Sequence, residues 1–365
     1  MQARKIAGIV AVLLFAGMAQ ANVLSMGGTR DANGTWTGLA SLDTVPVGNP
    51  GNVGELSGSG AGGYGPDRIC GAVAYTYNIG KYEVTAGQYS EFLNKVAKTD
   101  TYGLYSTYMA DPTNYYGCNI QRSGSLGSYA YSVDPNWANR PVNYVSFWDS
   151  CRFTNWLHNG QPTGAQGAGT TERGAYTLDG YNEQDGRTIQ RNPDANWAVT
   201  SEDEWYKAAY YKGGSTSAGY WDYPTGSDAA PGQDMNDTSG NNANYYTSPY
   251  AWPIDSGKYT TLAGEFQNSD SPYGTFDQGG NAWEWNESIL YSLQRGLRGG
   301  SFYSIGVDLR ATDRYYCDYP ANEDYYFGFR VSEVPEPASM ALLALGGIGL
   351  LRRRSGRMLR RRLAA

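Results

Sequence analysis

One histidine, His158, stands among 365 residues, and that scarcity removes much chemistry. Sites built from two or three imidazoles cannot form, and a Ser-His-Asp triad would have to use His158. His158 lies in Trp156-Leu157-His158-Asn159-Gly160, which reads as a helix end where a cation favours the dipole. Cysteine is scarce too: Cys70, Cys118, Cys151 and Cys317 show no CxxC spacing, which argues against zinc. In an exported chain these four cysteines allow two disulfides in three connectivities. Basic residues are few once the ends are set aside. Two of the 28 Lys and Arg lie in the first 21 residues and seven beyond Pro337, while one of the 35 acids, Glu336, lies in the tail. Residues 22–335 therefore hold 19 basic and 34 acidic groups, a net charge of −15. Such a surface repels phosphate backbones, so no nucleic-acid partner is expected. Divalent cations or neutral glycans suit it, and simple solvation of an extracellular domain explains it equally well.

What is present begins at the termini. Arg4 and Lys5, the apolar run Ile6 to Met18 and the small-residue site Ala19-Gln20-Ala21 read as a secretory signal over residues 1–21, leaving Asn22 as the mature N-terminus. At the other end Val334-Pro335-Glu336-Pro337 precedes the apolar stretch Ala338 to Leu351 and the cluster Arg352-Arg353-Arg354. Fourteen apolar residues are short for a bilayer crossing of ~20 residues, yet the arginine flank marks a cytoplasmic side. This order resembles the PEP-CTERM sorting signal of Gram-negative bacteria. The resemblance implies export, transient inner-membrane anchoring through the C-terminal transmembrane helix and processing by an exosortase, with a cell-surface or extracellular-matrix destination.

Between the ends, residues 22–70 form a Gly/Asn/Ser-rich segment that reads as poorly structured or wrapped around the domain edge. Its Gly58-Ser59-Gly60-Ala61-Gly62-Gly63 matches GxGxxG in form but follows no strand and precedes Gly65-Pro66, so it reads as a loop. Three helices announce themselves in residues 71–332. The first opens with the capping box Thr85 to Gln88 and carries Tyr89, Phe92, Leu93 and Val96 on one stripe. The second starts at Ser146, with Asp149 three residues on, and stops at Gly160. A third follows Ser201, whose box partner is Glu204, with Glu202 and Asp203 in its first turn. Short strands and turns dense in Gly, Asn, Pro and Tyr fill the rest, which predicts a low-regularity α+β domain.

Particular runs then carry a family resemblance. Tyr77-Asn78-Ile79-Gly80-Lys81-Tyr82-Glu83-Val84-Thr85, Arg140-Pro141-Val142-Asn143-Tyr144-Val145-Ser146-Phe147-Trp148-Asp149, Ala198-Val199-Thr200-Ser201-Glu202-Asp203-Glu204-Trp205 and Tyr223-Pro224-Thr225-Gly226 occur in order. Gly279-Gly280-Asn281-Ala282-Trp283-Glu284-Trp285, Arg298-Gly299-Gly300-Ser301-Phe302 and Gly328-Phe329-Arg330-Val331 follow. Together, over residues 45–332, they resemble the formylglycine-generating (sulfatase-modifying factor) family. The resemblance implies a loop-rich C-type-lectin-like fold with structural Ca²⁺. One site would use the Asp277 and Glu284 side chains with the carbonyls of Gly280 and Ala282. A second would use Asn244, the Tyr245 carbonyl and Asp255. Hard oxygen donors in a glycine-bearing turn suit that ion, although the same acids can simply cap turns.

Oxidases of this family hold Cu(I) between two thiolates after the GGS element. Here residues 302–316 contain no cysteine: Ser304 stands at the first thiolate's place and the second falls near Leu309. No copper and no catalytic residue are therefore expected. Arg310, Arg314 and Arg330 read as braces paired with carboxylates. The reading is an exported, calcium-stabilised binding or structural protein, a pseudoenzyme with a possible glycan or protein ligand. Tyr303, Tyr315, Tyr316, Tyr319, Tyr325 and Tyr326 would line its groove or pack its loops. The alternative is a formylglycine-generating-type oxidoreductase, or another enzyme acting in the same cleft.

Overall fold

Helices form where a side chain closes the first turn. In the computed structural model, which describes residues 22–26, 29–30, 36–37, 41–110, 116–247, 254–255 and 257–335, all three expected capping boxes are made. Thr85 and Gln88 cap α1 (Ala86–Val96), Ser146 and Asp149 cap α3 (Phe147–His158), and Ser201 and Glu204 cap α4 (Glu202–Tyr210). A further single turn, α2 (Pro135–Ala138), starts behind Asp134 with proline in its first position, where no amide donor is needed. The fold is α+β and loop-rich.

Among the described residues the two largest sheets are built from nine strands. The strands are β1 (Asn22–Leu24), β2 (Leu42–Val47), β3 (Tyr77–Gly80), β4 (Trp197–Val199), β5 (Trp283–Leu290), β6 (Gln294–Arg298), β7 (Cys317–Asp318), β8 (Phe327–Phe329) and β9 (Val331–Glu333). The larger sheet runs β1-β2-β3-β9-β4 with every neighbour antiparallel. The smaller runs β7-β6-β5-β8, with β5 and β8 parallel. The segment over residues 42–70 contributes β2 to the large sheet, and its Glu55–Ser57 and Arg68–Cys70 strands form a hairpin. Its glycine-rich loop fits beneath residue 312, where a Cβ on Gly63 would lie 2.0 Å from the Thr312 carbonyl oxygen. Backbone approach, not phosphate, explains those glycines.

Aromatic rings from distant segments fill the core. Phe92 and Phe153 meet edge-on at 5.3 Å, joining α1 to α3, and Phe153 meets Phe329 of β8 at 5.3 Å. Trp148, Trp156, Trp205 and Trp285 are fully buried. The four cysteines are all free thiols, so the allowed pair of disulfides is not formed. Cys70, Cys118 and Cys151 behave as small core residues. The expected signal, and the transmembrane helix expected over residues 338–351 with its arginine tail, lie outside the described residues. Among the described residues no helix is long and apolar enough to cross a membrane.

Candidate functional site

Carboxylates and guanidiniums hold the loops around the site in place. Glu202, at the start of α4, accepts from Arg298 at 2.7 Å, Arg314 at 2.8 Å and Arg68 at 3.2 Å. Burial alone would raise its pKa, but Arg298, Arg314 and Arg68 outweigh burial and hold it at about 2. Glu204 takes Arg191 through two bonds of 2.8 and 2.9 Å and the Tyr75 hydroxyl at 2.6 Å. It too is held down at about 2 against burial, chiefly by Arg191. Sequence position marks these acids as first-turn residues; their partners, up to 134 residues away, were not legible. Arg314 and Arg330 brace carboxylates as expected. Arg310 does not: it is exposed and donates to the Tyr223 hydroxyl at 2.9 Å.

The first candidate calcium set lies beside such a pair. Glu284, fully buried, accepts Arg330 through both oxygens at 2.9 and 3.0 Å and the Trp205 indole at 2.8 Å. A guanidinium therefore already neutralises it. Asp277 accepts from the Gly264 amide at 2.7 Å, and burial pushes its pKa up to about 6. Glu83, missed in the sequence, completes the group: it receives the Asn281 amide at 2.9 Å and the Ala282 N–H at 3.0 Å. Burial, then Asp277 and Glu284, push its pKa well up. Gly280 pairs with Asn244 in a short parallel bridge, which puts the two candidate sets in contact.

In the second set, Asn244 donates to the Tyr259 carbonyl at 2.8 Å and to Asn281 Oδ1 at 3.2 Å. Its own Oδ1 is buried with no hydrogen-bond partner. An orphaned hard oxygen is what a structural cation would take. Tyr245 follows in the chain, its hydroxyl bonded to the Pro231 carbonyl, while Asp255 is paired with Arg140. The carboxylates of both sets, Glu284 and Asp255, are already paired with arginines, and the Asn244 oxygen is the donor left without a hydrogen bond. Among the described residues no group of three or more His, Cys, Asp or Glu is arranged to hold a metal.

Past the GGS element lie the two positions, Ser304 and Leu309, that the resemblance sets against thiolates. The Ser304 hydroxyl accepts from the Ser301 amide at 3.0 Å, and Leu309 is fully buried with Tyr223, Ala243 and Tyr245. Burial pushes the Cys118 and Cys317 thiols to about 11 and raises those of Cys70 and Cys151. Raised thiol pKa values disfavour the thiolate, the reactive form of cysteine.

Around that segment stands an aromatic cluster. Tyr116 stacks on Tyr259 at 4.4 Å and lies 4.7 Å from Tyr325, and Phe302 approaches Tyr259 at 5.5 Å. Tyr303 meets Tyr325 edge-on at 6.3 Å while remaining 56% exposed. Tyr108, 60% exposed, stacks on Tyr144 at 5.5 Å. The six tyrosines picked from the sequence divide. Tyr303 and Tyr325 belong to this cluster; Tyr316 packs on Trp283 at 4.5 Å and hydrogen-bonds Tyr326; Tyr315 and Tyr319 are exposed. Tyr108, Tyr116 and Tyr259 were missed because they come from separate, unpatterned loops.

The sulfatase-modifying factor enzyme 1-like domain matches residues 71–334, and the PEP-CTERM protein-sorting motif matches residues 333–355. Similar solved structures include CarF, 21% identical over 81% of this chain and 99% of that one, with a TM-score of 0.48. Treponema denticola variable protein 1 is 16% identical over 86% and 99% of the two chains, with a TM-score of 0.48. PvdO from Pseudomonas aeruginosa is 18% identical over 87% and 99%, with a TM-score of 0.42. No curated protein matches the sequence.

Proposed function

From the premise that this chain belongs to the sulfatase-modifying factor enzyme 1-like domain family and carries a PEP-CTERM sorting motif, we propose a non-catalytic glycan-binding protein of the cell surface or its matrix. One observation carries the reading. Where the resemblance would set the copper thiolates, the chain has Ser304, tied into its own turn, and the neighbourhood of Leu309, buried in a small apolar cluster. Nothing there supplies a soft ligand pair or a nucleophile activated by a base.

The aromatic cluster supplies what binding needs instead. Flat tyrosine faces bury large areas and keep a hydroxyl for a sugar's polar edge. Tyr303 and Tyr108 present such faces to solvent. A structural Ca²⁺ at Asn244, Tyr245 and Asp255 belongs to the same reading. It would take the Asn244 oxygen and fix the side chain whose amide holds the Tyr259 carbonyl, and Tyr259 stacks in the cluster. Asp277, Gly280, Ala282 and Glu284 support that corner through the Arg330 pair and the Gly280 bridge.

Retention of the protein on immobilised extracellular polysaccharides, with and without a calcium chelator, tests this. The expected results are retention, weakening in chelator, and about tenfold weaker binding for Tyr303→Ala, or ~1.4 kcal/mol. Indifference to both Tyr303→Ala and chelator would remove the aromatic cluster from the account.

A further inference from the structure

Asparagine two residues before serine or threonine, with any residue but proline between them, is the acceptor pattern for N-linked oligosaccharides on exported proteins. The chain contains it three times, as Asn33-Gly34-Thr35, Asn236-Asp237-Thr238 and Asn286-Glu287-Ser288. The first lies outside the described residues, and the fold sorts the other two. A bulky, hydrated sugar chain can be added only where the asparagine amide stands at the surface, on backbone that an enzyme can surround.

Asn286 fails both conditions. It is fully buried in β5, at the point where the register with β6 shifts between Trp285 and Ile289. Its Oδ1 accepts from the Ser288 amide at 3.0 Å and from the Ser288 hydroxyl, so the two side chains of the pattern are tied to each other.

Asn236 meets both. Its loop is closed at the neck by the bridge between Gly232 and Asn242, where the Ala243 amide donates to the Gly232 carbonyl at 3.0 Å. Asn236 and Thr238 are exposed at the far end, and neither side chain is hydrogen-bonded among the described residues. The turn that presents them is held by other groups. Asp234 Oδ1 accepts from the Asn236 backbone amide at 2.8 Å, and the Asn268 side chain donates to the Thr238 carbonyl at 2.8 Å. Asp237 takes the Ser239 amide at 2.8 Å, the Ser239 hydroxyl at 2.9 Å and the Asn242 side-chain amide at 3.1 Å. The loop is thus shaped by its main chain and its two acids, while the acceptor amide and the hydroxyl two residues on stay available.

We infer that Asn236 is an acceptor for an N-linked oligosaccharide, transferred from a lipid-pyrophosphate-linked donor after export. The sorting motif marks the chain for the envelope, where such donors are met. In the transfer the bond from the sugar's anomeric carbon to the pyrophosphate oxygen breaks, and the lipid pyrophosphate leaves with the electron pair. Asn236 Nδ2 forms the new bond to that carbon and gives one proton to a base of the transferase; nothing is oxidised or reduced. The Thr238 hydroxyl is the group by which the transferase recognises the site. The sugar is here a covalent substituent, so the assignment is independent of glycan binding at the aromatic cluster.

The test incubates the folded full chain with a bacterial oligosaccharyltransferase and its lipid-linked oligosaccharide, followed by trypsin and mass spectrometry. Cleavage after Lys212, Lys258 and Arg295 puts Asn236 and Asn286 on separate peptides. A glycan mass is expected on the Asn236 peptide and none on the Asn286 peptide. Asn236→Gln and Thr238→Ala are expected to lose it, and Thr238→Ser to keep it. A synthetic peptide spanning residues 284–290 is expected to be modified, because only the fold protects Asn286. An unmodified Asn236 in the folded chain, a glycan there that survives Thr238→Ala, or a glycan on Asn286 of the folded chain would each overturn the assignment.

Discussion

Glu202 shows how much a single side chain can carry in this molecule. Three arginines converge on a carboxylate that is almost wholly buried, and Arg298 is itself fully buried. Removing the anion leaves buried cations uncompensated, the costly half of breaking a buried pair. Glu202→Gln is therefore expected to destabilise the fold by ~3–5 kcal/mol, read as a lower denaturation midpoint. The pH response has a definite sign. Glu202 and Glu204 titrate at about 2 in the fold against 4.5 ordinarily, so their contribution is complete above 4.5. It is lost as pH falls from there towards about 2. A thermal midpoint falling steeply over that interval in the wild type, and less steeply in Glu202→Gln, checks this. An identical pH profile in both would separate Glu202 from the acid response.

At the level of elements, what the sequence made legible depended on distance along the chain. Each helix start was readable because cap and box partner stand three residues apart, and Thr85, Ser146 and Ser201 all cap as their spacing implies. The strands were not readable in the same way. Most are two to six residues long and take partners from far away, as β9 does by inserting between β3 and β4. Composition hid β2 inside a segment rich in glycine and asparagine. Asn244 and Asp277 were picked out by resemblance, whereas Glu83 had no local mark. The junction entering β5 shows what such long-range contacts demand. Gly280 has a φ of +83°, and a Cβ there would lie 2.1 Å from the Asn244 carbonyl oxygen. Gly280→Ala is expected to cost several kcal/mol, on the order of 3, through backbone strain and loss of the bridge. Equilibrium unfolding checks it, and a cost under about 0.5 kcal/mol, typical of neutral surface changes, would contradict it.

For the whole molecule, scaffold and chemistry separate. The family domain spans residues 71–334 and meets a sorting motif at residues 333–355, and residues 302–316 hold no cysteine. Its acidic composition and its sorting motif fit export to the cell surface. The most direct measurement is an anaerobic Cu(I) titration of the protein, read by X-ray absorption and followed by aerobic incubation with a sulfatase-motif cysteine peptide. The account predicts no tight copper site with two sulfur ligands and no conversion of the peptide cysteine to formylglycine. One bound copper held by two thiolates, together with peptide oxidation, would contradict it.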